Sequence, residues 1–294
     1  MDRLTSMTVF ARVAAARSFS AAARDLGISQ ATASKHVQVL ESWLGTRLLH
    51  RTTRRVGLTE AGVSFFAQCT HILDDMETAR QAGQTAAKLR GSLRITAPVA
   101  FGCPRLATLM VDFMAENPDL SLTVALCDRP VDVVEEGCDL AIRAGSNAAD
   151  DAGLIVYPLR PLRFTVCAAP GYLATYGVPA MPADLVPLVC LTDSRHPGDV
   201  WRFTGPDGES AVAVTGRLKT DSGMLRREAA RTGAGVLLAP EFLVEDDIAA
   251  GRLVRLLPGY TAAAVPLDAV CPTNRAASPK VRSFVAFLTA RLGE

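Results

Sequence analysis

FSAAARDLGISQATASKHVQVLESWL, residues 19–44, decides the fold of the N-terminal part of this 294-residue chain. The pattern predicts a helix that begins near Ser20, a good N-cap, and ends at Gly27. After the turn, Ser29 is predicted to cap a second helix, with a buried stripe of Ala33, Val37, Leu40 and Leu44. Two short helices joined by a tight glycine-containing turn are typical of a helix-turn-helix.

The second helix carries polar groups near its N-terminal end, where such motifs contact base edges. Beside the cap Ser29, these candidates are Gln30, Thr32, Ser34, Lys35 and Gln38. Glutamine can bond adenine through two hydrogen bonds, and lysine can reach guanine or phosphate. For any single residue the alternative is a solvated helix face, but the motif as a whole favours DNA contact.

The flanking residues complete the predicted DNA-binding head. Apolar residues at helical spacing predict a preceding helix, and residues 47–58 indicate a wing of two short strands around a Thr/Arg tip. The arginines of this wing are Arg47, Arg51, Arg54 and Arg55. They would repel one another unless a phosphate backbone neutralised them. Residues 1–60 hold nine basic and four acidic residues, a charge of +5. The rest of the chain carries −4, so we expect a polyanion-binding head on an acidic body.

Landmarks over about sixty positions give this region a family resemblance. They run from Phe19-Ser20-Ala21-Ala22-Ala23 through Ser29-Gln30-Ala31-Thr32-Ala33-Ser34-Lys35 to Leu58-Thr59-Glu60-Ala61-Gly62, and they resemble the LysR-type transcriptional regulators. The family commonly has proline at Ala31 and arginine at Lys35, and lysine lacks the planar fork of arginine. The resemblance implies that Gln30, Ala31, Ser34 and Lys35 contact the groove, and that Arg54 or Arg55 contacts the minor groove or backbone.

A long helix is predicted from Thr59 to about Lys88, where proline is absent. Small or apolar residues recur at alternating steps of three and four: Gly62, Phe65, Cys69, Ile72, Met76, Ala79, Gly83 and Ala86. This is an a/d seam, and it predicts a coiled-coil dimer. The alternative is a helix that packs on its own chain. A dimer would place two recognition helices on a dyad operator, and the resemblance implies that the sensing domains then pair into tetramers.

Residues from 91 onward alternate strands and helices with short loops, which predicts two α/β lobes with largely parallel sheets. We place lobe I at residues 91–161 and 266–294 and lobe II at 162–265. A short helix is expected between the strand Leu120–Leu126 and the strand at 139–143, and the last strand and helix are expected to return to lobe I. Two lobes joined by crossing strands resemble type-2 periplasmic binding proteins.

Such folds bind ligands in the crevice at the carboxyl ends of strands. The candidate effector-binding residues are Thr96, Pro98, Val99, Phe101, Arg143, Trp201, Phe203, Asp221 and Ser222. Free amides at a helix start near Gly102, together with Arg143, are expected to hold a carboxylate, so the expected effector is a small organic acid. Alternatively, Arg143 pairs with an acidic side chain and Trp201 is a packing residue.

Other classes of protein are disfavoured. We find no G-x-S-x-G, Walker, dinucleotide-binding or H-E-x-x-H motif, so we expect neither an enzyme nor a cofactor or metal. The N-terminus lacks the features of a signal peptide, no segment is apolar enough to span a membrane, and the seven cysteines are scattered. These features predict a cytoplasmic protein with buried thiols, although Cys127 and Cys138 could form a redox pair.

The expected architecture is therefore an α+β multidomain chain. It comprises a winged helix-turn-helix at 1–58, a linker helix at 59–90 and a two-lobed α/β effector domain at 91–294. We expect a sequence-specific DNA-binding regulator that responds to a small molecule. An architectural DNA-binding protein with a non-sensing oligomerisation body is the alternative.

Overall fold

The computed structural model describes residues 2–51, 56–82, 88–129, 131–145, 153–195 and 199–293. The chain divides into two compact units, Met1–Gly91 and Ser92–Glu294.

The N-terminal unit begins with three helices: α1 (Arg3–Ala16), α2 (Phe19–Asp25) and α3 (Gln30–Leu44). Ser29 caps α3 as expected, since its side chain accepts a hydrogen bond from the amide of Thr32. The cap of α2 is Ser18 and not Ser20, because the Ser18 hydroxyl accepts from the amide of Ala21. Gly27 turns the chain between α2 and α3 with a φ of 65°, a conformation that favours glycine.

A single apolar core holds these helices together. The predicted stripe of α3 is buried at Ala33, Val37 and Leu40, whereas Leu44 is partly buried at its edge. From α1, Phe10 and Val13 are completely buried against this stripe. Burial of such side chains is the main favourable term that fixes the orientation of α3.

The predicted wing is present as two antiparallel strands, β1 (Leu49–Arg51) and β2 (Val56–Leu58). Leu49 lies opposite Leu58, which sets the register. The chain reaches β1 from α3 through residues whose amides bond the Glu41 carboxylate. The tip residues 52–55, among them Arg54 and Arg55, lie outside the described residues.

The helix that follows, α4, spans Glu60–Ala82. Its predicted seam is wrong in its first half, because those residues pack inside this unit. A Cβ at Gly62 would lie 1.9 Å from the carbonyl oxygen of Leu48, so only glycine fits there. The Phe65 ring lies 5.5 Å from that of Phe10, and buried Cys69 donates to the carbonyl of Met7. The outward half begins at Ile72 and Met76, which are both exposed.

In the C-terminal unit, lobe I is built on a five-stranded sheet in the order β4-β3-β5-β14-β6. Its strands are β3 (Gly91–Ala97), β4 (Leu120–Leu126), β5 (Leu140–Ala144), β6 (Leu154–Pro158) and β14 (Leu267–Pro272). A continuous helical run follows β3: α5 (Val99–Phe101), a π-helical segment (Gly102–Leu106) and α6 (Ala107–Glu116). The last helix of the chain is α10 (Pro279–Gly293).

Lobe II contains a four-stranded sheet in the order β12-β7-β11-β8 and a three-stranded sheet in the order β10-β9-β13. The strands are β7 (Phe164–Ala168), β8 (Cys190–Leu191), β9 (Val200–Gly205), β10 (Gly208–Ala213), β11 (Val236–Pro240), β12 (Val254–Leu256) and β13 (Thr261–Ala262). Its helices are α7 (Pro170–Tyr176), α8 (Gly223–Arg231) and α9 (Glu241–Ala249).

The chain crosses between the lobes twice, and the two crossing segments pair where Leu162 and Val265 exchange backbone hydrogen bonds. The second crossing returns β14 to lobe I between β5 and β6, as expected. β14 runs antiparallel to both neighbours, and β7 runs antiparallel to β11 and β12. The sheets are therefore mixed and not largely parallel. Turns replace the short helix expected before β5.

Candidate DNA-binding surface and effector cavity

The N-terminal half of α3 presents a polar surface opposite its buried stripe. Gln30, Ala31, Lys35 and Gln38 are exposed, and Thr32 and Ser34 are partly exposed. Ser29 is also exposed, and its hydroxyl lies 2.8 Å from that of Thr32. The side chains that would meet a ligand are thus held by a helix whose other face is fixed in the core.

The opposite side of α3 is anchored by polar contacts as well as by apolar packing. His36 is buried, and its Nδ1 lies 3.0 Å from the hydroxyl of Ser6 on α1. Next to the exposed Lys35 is therefore a histidine that belongs to the core. At the C-terminal end of α3, the Arg3 guanidinium lies 4.7 Å from the centre of the half-exposed Trp43 ring.

The wing strands carry part of the predicted basic surface. Arg47 and His50 are exposed, and the backbone of Arg51 ends β1. The side chain of Arg51, and all of Arg54 and Arg55, lie outside the described residues. The contacts expected of these three arginines remain predictions.

The C-terminal unit contains a cavity of about 600 Å³ at the carboxyl ends of β3 and β5, which run parallel. This volume is within the usual range for sites that bind small molecules. The cavity is lined by Thr96, Ala97, Pro98, Cys127, Asp128, Arg129, Val131, Asp132, Val133, Val134, Ala141, Ile142, Arg143, Ala144, Gly145, Leu154 and Arg195. Lobe I supplies all of these residues except Arg195, which lobe II contributes.

Three of the predicted effector residues line this cavity: Thr96, Pro98 and Arg143. Arg143 donates from Nη2 to the carbonyl oxygen of Val131 at 2.8 Å. This bond orients the guanidinium and holds the loop that follows β4. Thr96 is buried near the end of β3 and is a hydroxyl-bearing residue of this partly apolar lining.

The lobe II side of the cavity is held by an arginine–aspartate cluster. Arg195 binds both carboxylate oxygens of Asp193, at 3.0 and 2.6 Å, and Arg226 reaches the same carboxylate at 2.8 Å. Burial on its own raises the pKa of Asp193, but the hydrogen bonds from Arg195 outweigh it and lower the pKa. The bond to Asp193 raises the pKa of Arg195, whereas burial lowers the pKa of Arg226. Both shifts of the Asp193–Arg195 pair favour its charged form, so this carboxylate and the Arg195 guanidinium stay charged at neutral pH.

The structure differs in two ways from the anion-binding site expected at a helix start. The helix begins at Val99 and not near Gly102, and the first amide is already bonded. The amide of Val99 donates to Oδ1 of Asp128 at 3.0 Å, while those of Phe101 and Gly102 donate to the carbonyl oxygen of Pro98. A carboxylate of the chain itself thus occupies the position expected for a ligand carboxylate.

Several predicted effector residues lie away from the cavity lining. Trp201 and Phe203 face inward from β9 and are buried in the apolar core of lobe II, which for Trp201 is the packing alternative. Phe101 is buried edge-to-face against Phe242, with ring centres 5.8 Å apart. Ser222 caps α8, and Asp221 is exposed. The alternation of apolar residues in β9 predicts a strand, but it does not distinguish a core face from a ligand face.

Sequence reasoning missed the charged residues that follow β4, namely Asp128, Arg129 and Asp132. Asp132 accepts from the amides of Val134 and Glu135, and Arg129 bonds Glu136. They follow a correctly predicted strand, and residues at that position of an α/β fold line the crevice. The rule that selected residues at the ends of the strands that finish at Ala97 and Ala144 therefore also applies to the residues that follow β4.

The seven cysteines carry no disulfide. Burial raises the pKa of Cys69, Cys167 and Cys190 to about 12. Burial also raises the pKa of Cys138, one member of the alternative redox pair, and a thiol of raised pKa is a poor nucleophile. In the described part of the chain, no group of three or more His, Cys, Asp or Glu side chains could hold a metal, and no helix could cross a membrane.

Comparisons with known proteins match both units. Residues 4–63 match the family model described as "Bacterial regulatory helix-turn-helix protein, lysR family", and residues 86–293 match the model described as "LysR substrate binding domain". Together these two segments cover most of the chain.

Relatives of similar length share about a third of their residues with this chain. An HTH-type transcriptional regulator of Xanthomonas campestris pv. campestris is 35% identical over 295 residues, which covers 98% of this chain and 85% of that protein. The regulator DmlR of Escherichia coli is 36% identical over 300 residues, with coverage of 99% and 95%. The solved structure of CrgA, a LysR-type transcriptional regulator from Neisseria meningitidis, is 31% identical, covers 99% of both chains and has a TM-score of 0.63.

Proposed function

The chain belongs to the LysR family of bacterial transcriptional regulators, and from that membership we propose which of its residues contact DNA and which meet the effector. It is a DNA-binding regulator with an effector domain, and its relatives are named as transcriptional regulators. We accordingly assign it no enzymatic reaction. We retain the boundaries 1–58, 59–90 and 91–294 for the head, linker and effector domain, and we place the protein in the cytoplasm.

The DNA contacts are made by the exposed start of α3 and by the wing. The observation that carries this proposal is the polar surface of α3, where Gln30, Lys35 and Gln38 are exposed while Ala33 and Val37 are buried. Base edges are read by Gln30, Lys35 and Gln38, and Ser29, Ala31, Thr32 and Ser34 fit the surrounding groove. Arg51, Arg54 and Arg55 bind phosphate or the minor groove and supply affinity without sequence preference.

A homodimer binds a dyad operator, with a tetramer as the larger assembly. Ile72 and Met76 are exposed apolar residues four positions apart, so they lie on the same face of α4. Exposed apolar residues that lie together mark association surfaces, and this pair supports a dimer contact on the outward half of the helix. Two heads on one dimer read two half-sites, which raises affinity through effective concentration.

The effector is a small organic acid held in the cavity at the carboxyl ends of β3 and β5. The guanidinium of Arg143 supports this class of ligand, because arginine and carboxylate form charge-assisted hydrogen bonds. Thr96 and Pro98 also line the cavity. Arg195 brings lobe II to the same cavity, so a ligand there touches both lobes.

Effector binding changes DNA binding only if the ligand prefers one arrangement of the lobes over another. The division of the cavity lining between two lobes joined by two crossing segments supports such a preference. An architectural DNA-binding protein with a non-sensing body, the alternative, would have no such ligand dependence.

Selection of bound fragments from genomic DNA by the purified full-length protein tests this function. We expect one dyad sequence motif, with half-sites separated by whole helical turns, and a shift of affinity when the correct acid is added. Recovery of fragments without a common motif would favour the architectural alternative. A thermal-shift screen of metabolite acids, repeated with Arg143→Ala, then tests the cavity: equal stabilisation of both proteins would make Arg143 purely structural.

A further inference from the structure

The start of the helix beside the cavity is occupied by a side chain from elsewhere in lobe I. The helical run that begins at Val99 is continuous to Glu116, so its first amides lie at the positive end of a substantial helix dipole. Oδ1 of Asp128 accepts a hydrogen bond from the first of these amides at 3.0 Å. Asp128 also lines the cavity. The dipole is thus already complemented by a negative charge of the protein.

Asp128 is held in place from several directions. The amide of the preceding residue, Cys127, donates to the carbonyl oxygen of Ala97, which fixes the chain beside the end of β3. The backbone carbonyl of Asp128 accepts from Nη1 of Arg195 at 3.3 Å, and Arg195 is itself anchored on Asp193. A ligand in the cavity therefore meets the carboxylate of a residue whose backbone is held by hydrogen bonds on both sides.

The charge of Asp128 selects among possible ligands. A ligand carboxylate placed at the same helix start would lie beside the negative charge of Asp128. Adjacent like charges repel strongly in a partly buried site. A carboxylate has about four acceptor positions, and the Val99 amide uses only one of Asp128. An ammonium or hydroxyl group of a ligand can therefore bond Asp128 while the Val99 bond is kept.

The opposite requirement holds at the end of β5, where Arg143 lines the same cavity. A guanidinium favours an anionic group, so the cavity favours negative charge at one place and a hydrogen-bond donor to Asp128 at another. A ligand that satisfies both places bears a carboxylate and, in addition, an ammonium or hydroxyl group.

We propose that Asp128 is a specificity-determining residue, and that the effector is an amino acid or hydroxy acid whose donor group bonds Asp128 while its carboxylate meets Arg143. The proposal rests on the proposed effector cavity. Asp128 disfavours simple carboxylic acids of the same carbon skeleton, because their carboxylate can meet Arg143 but they bring no donor to Asp128.

Two series of acids test this assignment on the full-length chain: butanoate, 2-hydroxybutanoate and 2-aminobutanoate, and 3-phenylpropanoate, 3-phenyllactate and phenylalanine. Affinities are measured by titration calorimetry on the parent and on Asp128→Asn and Asp128→Ala. Asparagine keeps an acceptor for the Val99 amide but removes the charge, and alanine also frees the amide. Thermal unfolding of each variant without ligand establishes that it is folded.

In at least one series, we expect the parent to bind the amino or hydroxy acid about tenfold or more tightly than the simple acid. Asp128→Asn should reduce that preference to about twofold, and Asp128→Ala should bind the simple acid about tenfold more tightly than the parent does. Comparison of the amino with the hydroxy member identifies the donor group. Asp132→Asn is the matched control, since it removes the same charge from the same cavity lining, and it should keep the parent's preference.

A parent that binds simple acids as tightly as their substituted forms would overturn the inference and leave the effector cavity intact. The inference is also overturned if Asp132→Asn changes the preference as much as Asp128→Asn, because the effect would then be general electrostatics. If no acid binds the parent or any variant, the proposed acid site fails, and the inference fails with it.

Discussion

The Oε1 atom of Glu41 accepts a hydrogen bond from the backbone amide of Leu48 at 2.8 Å. The same oxygen accepts from the next amide, that of Leu49, at 3.2 Å. One carboxylate on α3 therefore fixes the point at which the chain enters the wing, and the two surfaces proposed to touch DNA are tied together by a single side chain.

Replacing Glu41 should loosen the wing. Glu41→Ala leaves the amide of buried Leu48 without a partner, which should lower the free energy of unfolding of the N-terminal unit by about 1–3 kcal/mol. Glu41→Gln keeps an acceptor oxygen and should lose less. Urea denaturation followed by circular dichroism measures both, and an alanine variant as stable as the parent would show that the two amides find other partners.

Lys35 is expected to read a base. Lys35→Ala should reduce the discrimination between operator and random DNA by about 1–3 kcal/mol, because a base contact is lost only on the correct sequence. Arg12→Ala is the control: it removes the same charge from an exposed position on α1, where Arg12 lies 3.5 Å from Asp25. Gel-shift titrations should show little change for the control, and unchanged discrimination by the Lys35 variant would exclude a base contact.

The arginines at the wing tip are expected to act on all sequences alike. Arg54→Ala or Arg55→Ala should weaken binding to operator and random DNA by a similar factor. If the lost contact is to phosphate, the slope of log affinity against log salt should decrease by about one. Titrations at several salt concentrations measure this slope. A loss confined to the operator would instead indicate that these arginines read sequence.

Dimerisation is expected to depend on Ile72 and Met76, whose exposed fractions are 43% and 46%. Changing both to glutamate should give monomers in sedimentation velocity and lower operator affinity, because each head then binds alone. Val63→Glu is the control, since Val63 is 58% exposed on the same helix but off the seam. A double variant that sediments and binds like the parent would show that this half of α4 has no partner.

Asp247 is expected to govern the acid stability of lobe II. Its side chain on α9 is completely buried, and its carboxylate bonds Arg252 at 2.6 Å and Arg227 at 2.7 Å. Burial on its own raises the pKa of Asp247, but the bonds from these arginines outweigh it and hold the pKa below the ordinary value of 3.8. The folded state therefore binds this proton less readily than the unfolded chain does.

The stability that Asp247 contributes is therefore full at pH values above its unfolded pKa and is lost as the pH falls through the folded pKa. Asp247→Asn should lower the free energy of unfolding at neutral pH by about 3 kcal/mol. This value is at the low end of the cost of breaking a buried ion pair, because the arginines reach solvent. The variant should also lose part of the parent's acid dependence. Denaturation curves between pH 3 and 7 would contradict this if the two proteins differed by the same amount throughout.

Much of the N-terminal unit follows from local signals. The cap at Ser29 and the spacing of Ala33, Val37 and Leu40 depend on neighbours within one helix, and they predicted α3 correctly. The predicted cap at Ser20 is wrong, because Ser18, an equally good cap residue two positions earlier, accepts the hydrogen bond from the amide of Ala21.

Long-range contacts explain what the sequence did not predict. The a/d spacing of α4 could not show that Phe65 and Cys69 pack on α1, because an intrachain core and a dimer seam have the same period. The bond between Val99 and Asp128 joins residues 29 positions apart. Such a contact is set by the order of strands in the sheet, which periodicity alone does not specify.

The return of β14 to the interior of the lobe I sheet has a consequence for synthesis. Lobe II is one uninterrupted stretch, so all of its strands have been translated once residue 265 leaves the ribosome. Lobe I begins earlier, yet one edge of β5 and the strand β6 have no partner in the described sheet until β14 has been translated and enters between them. The later lobe can thus fold first, and a stop codon before residue 267 would leave the earlier one with two open strand edges exposed to aggregation.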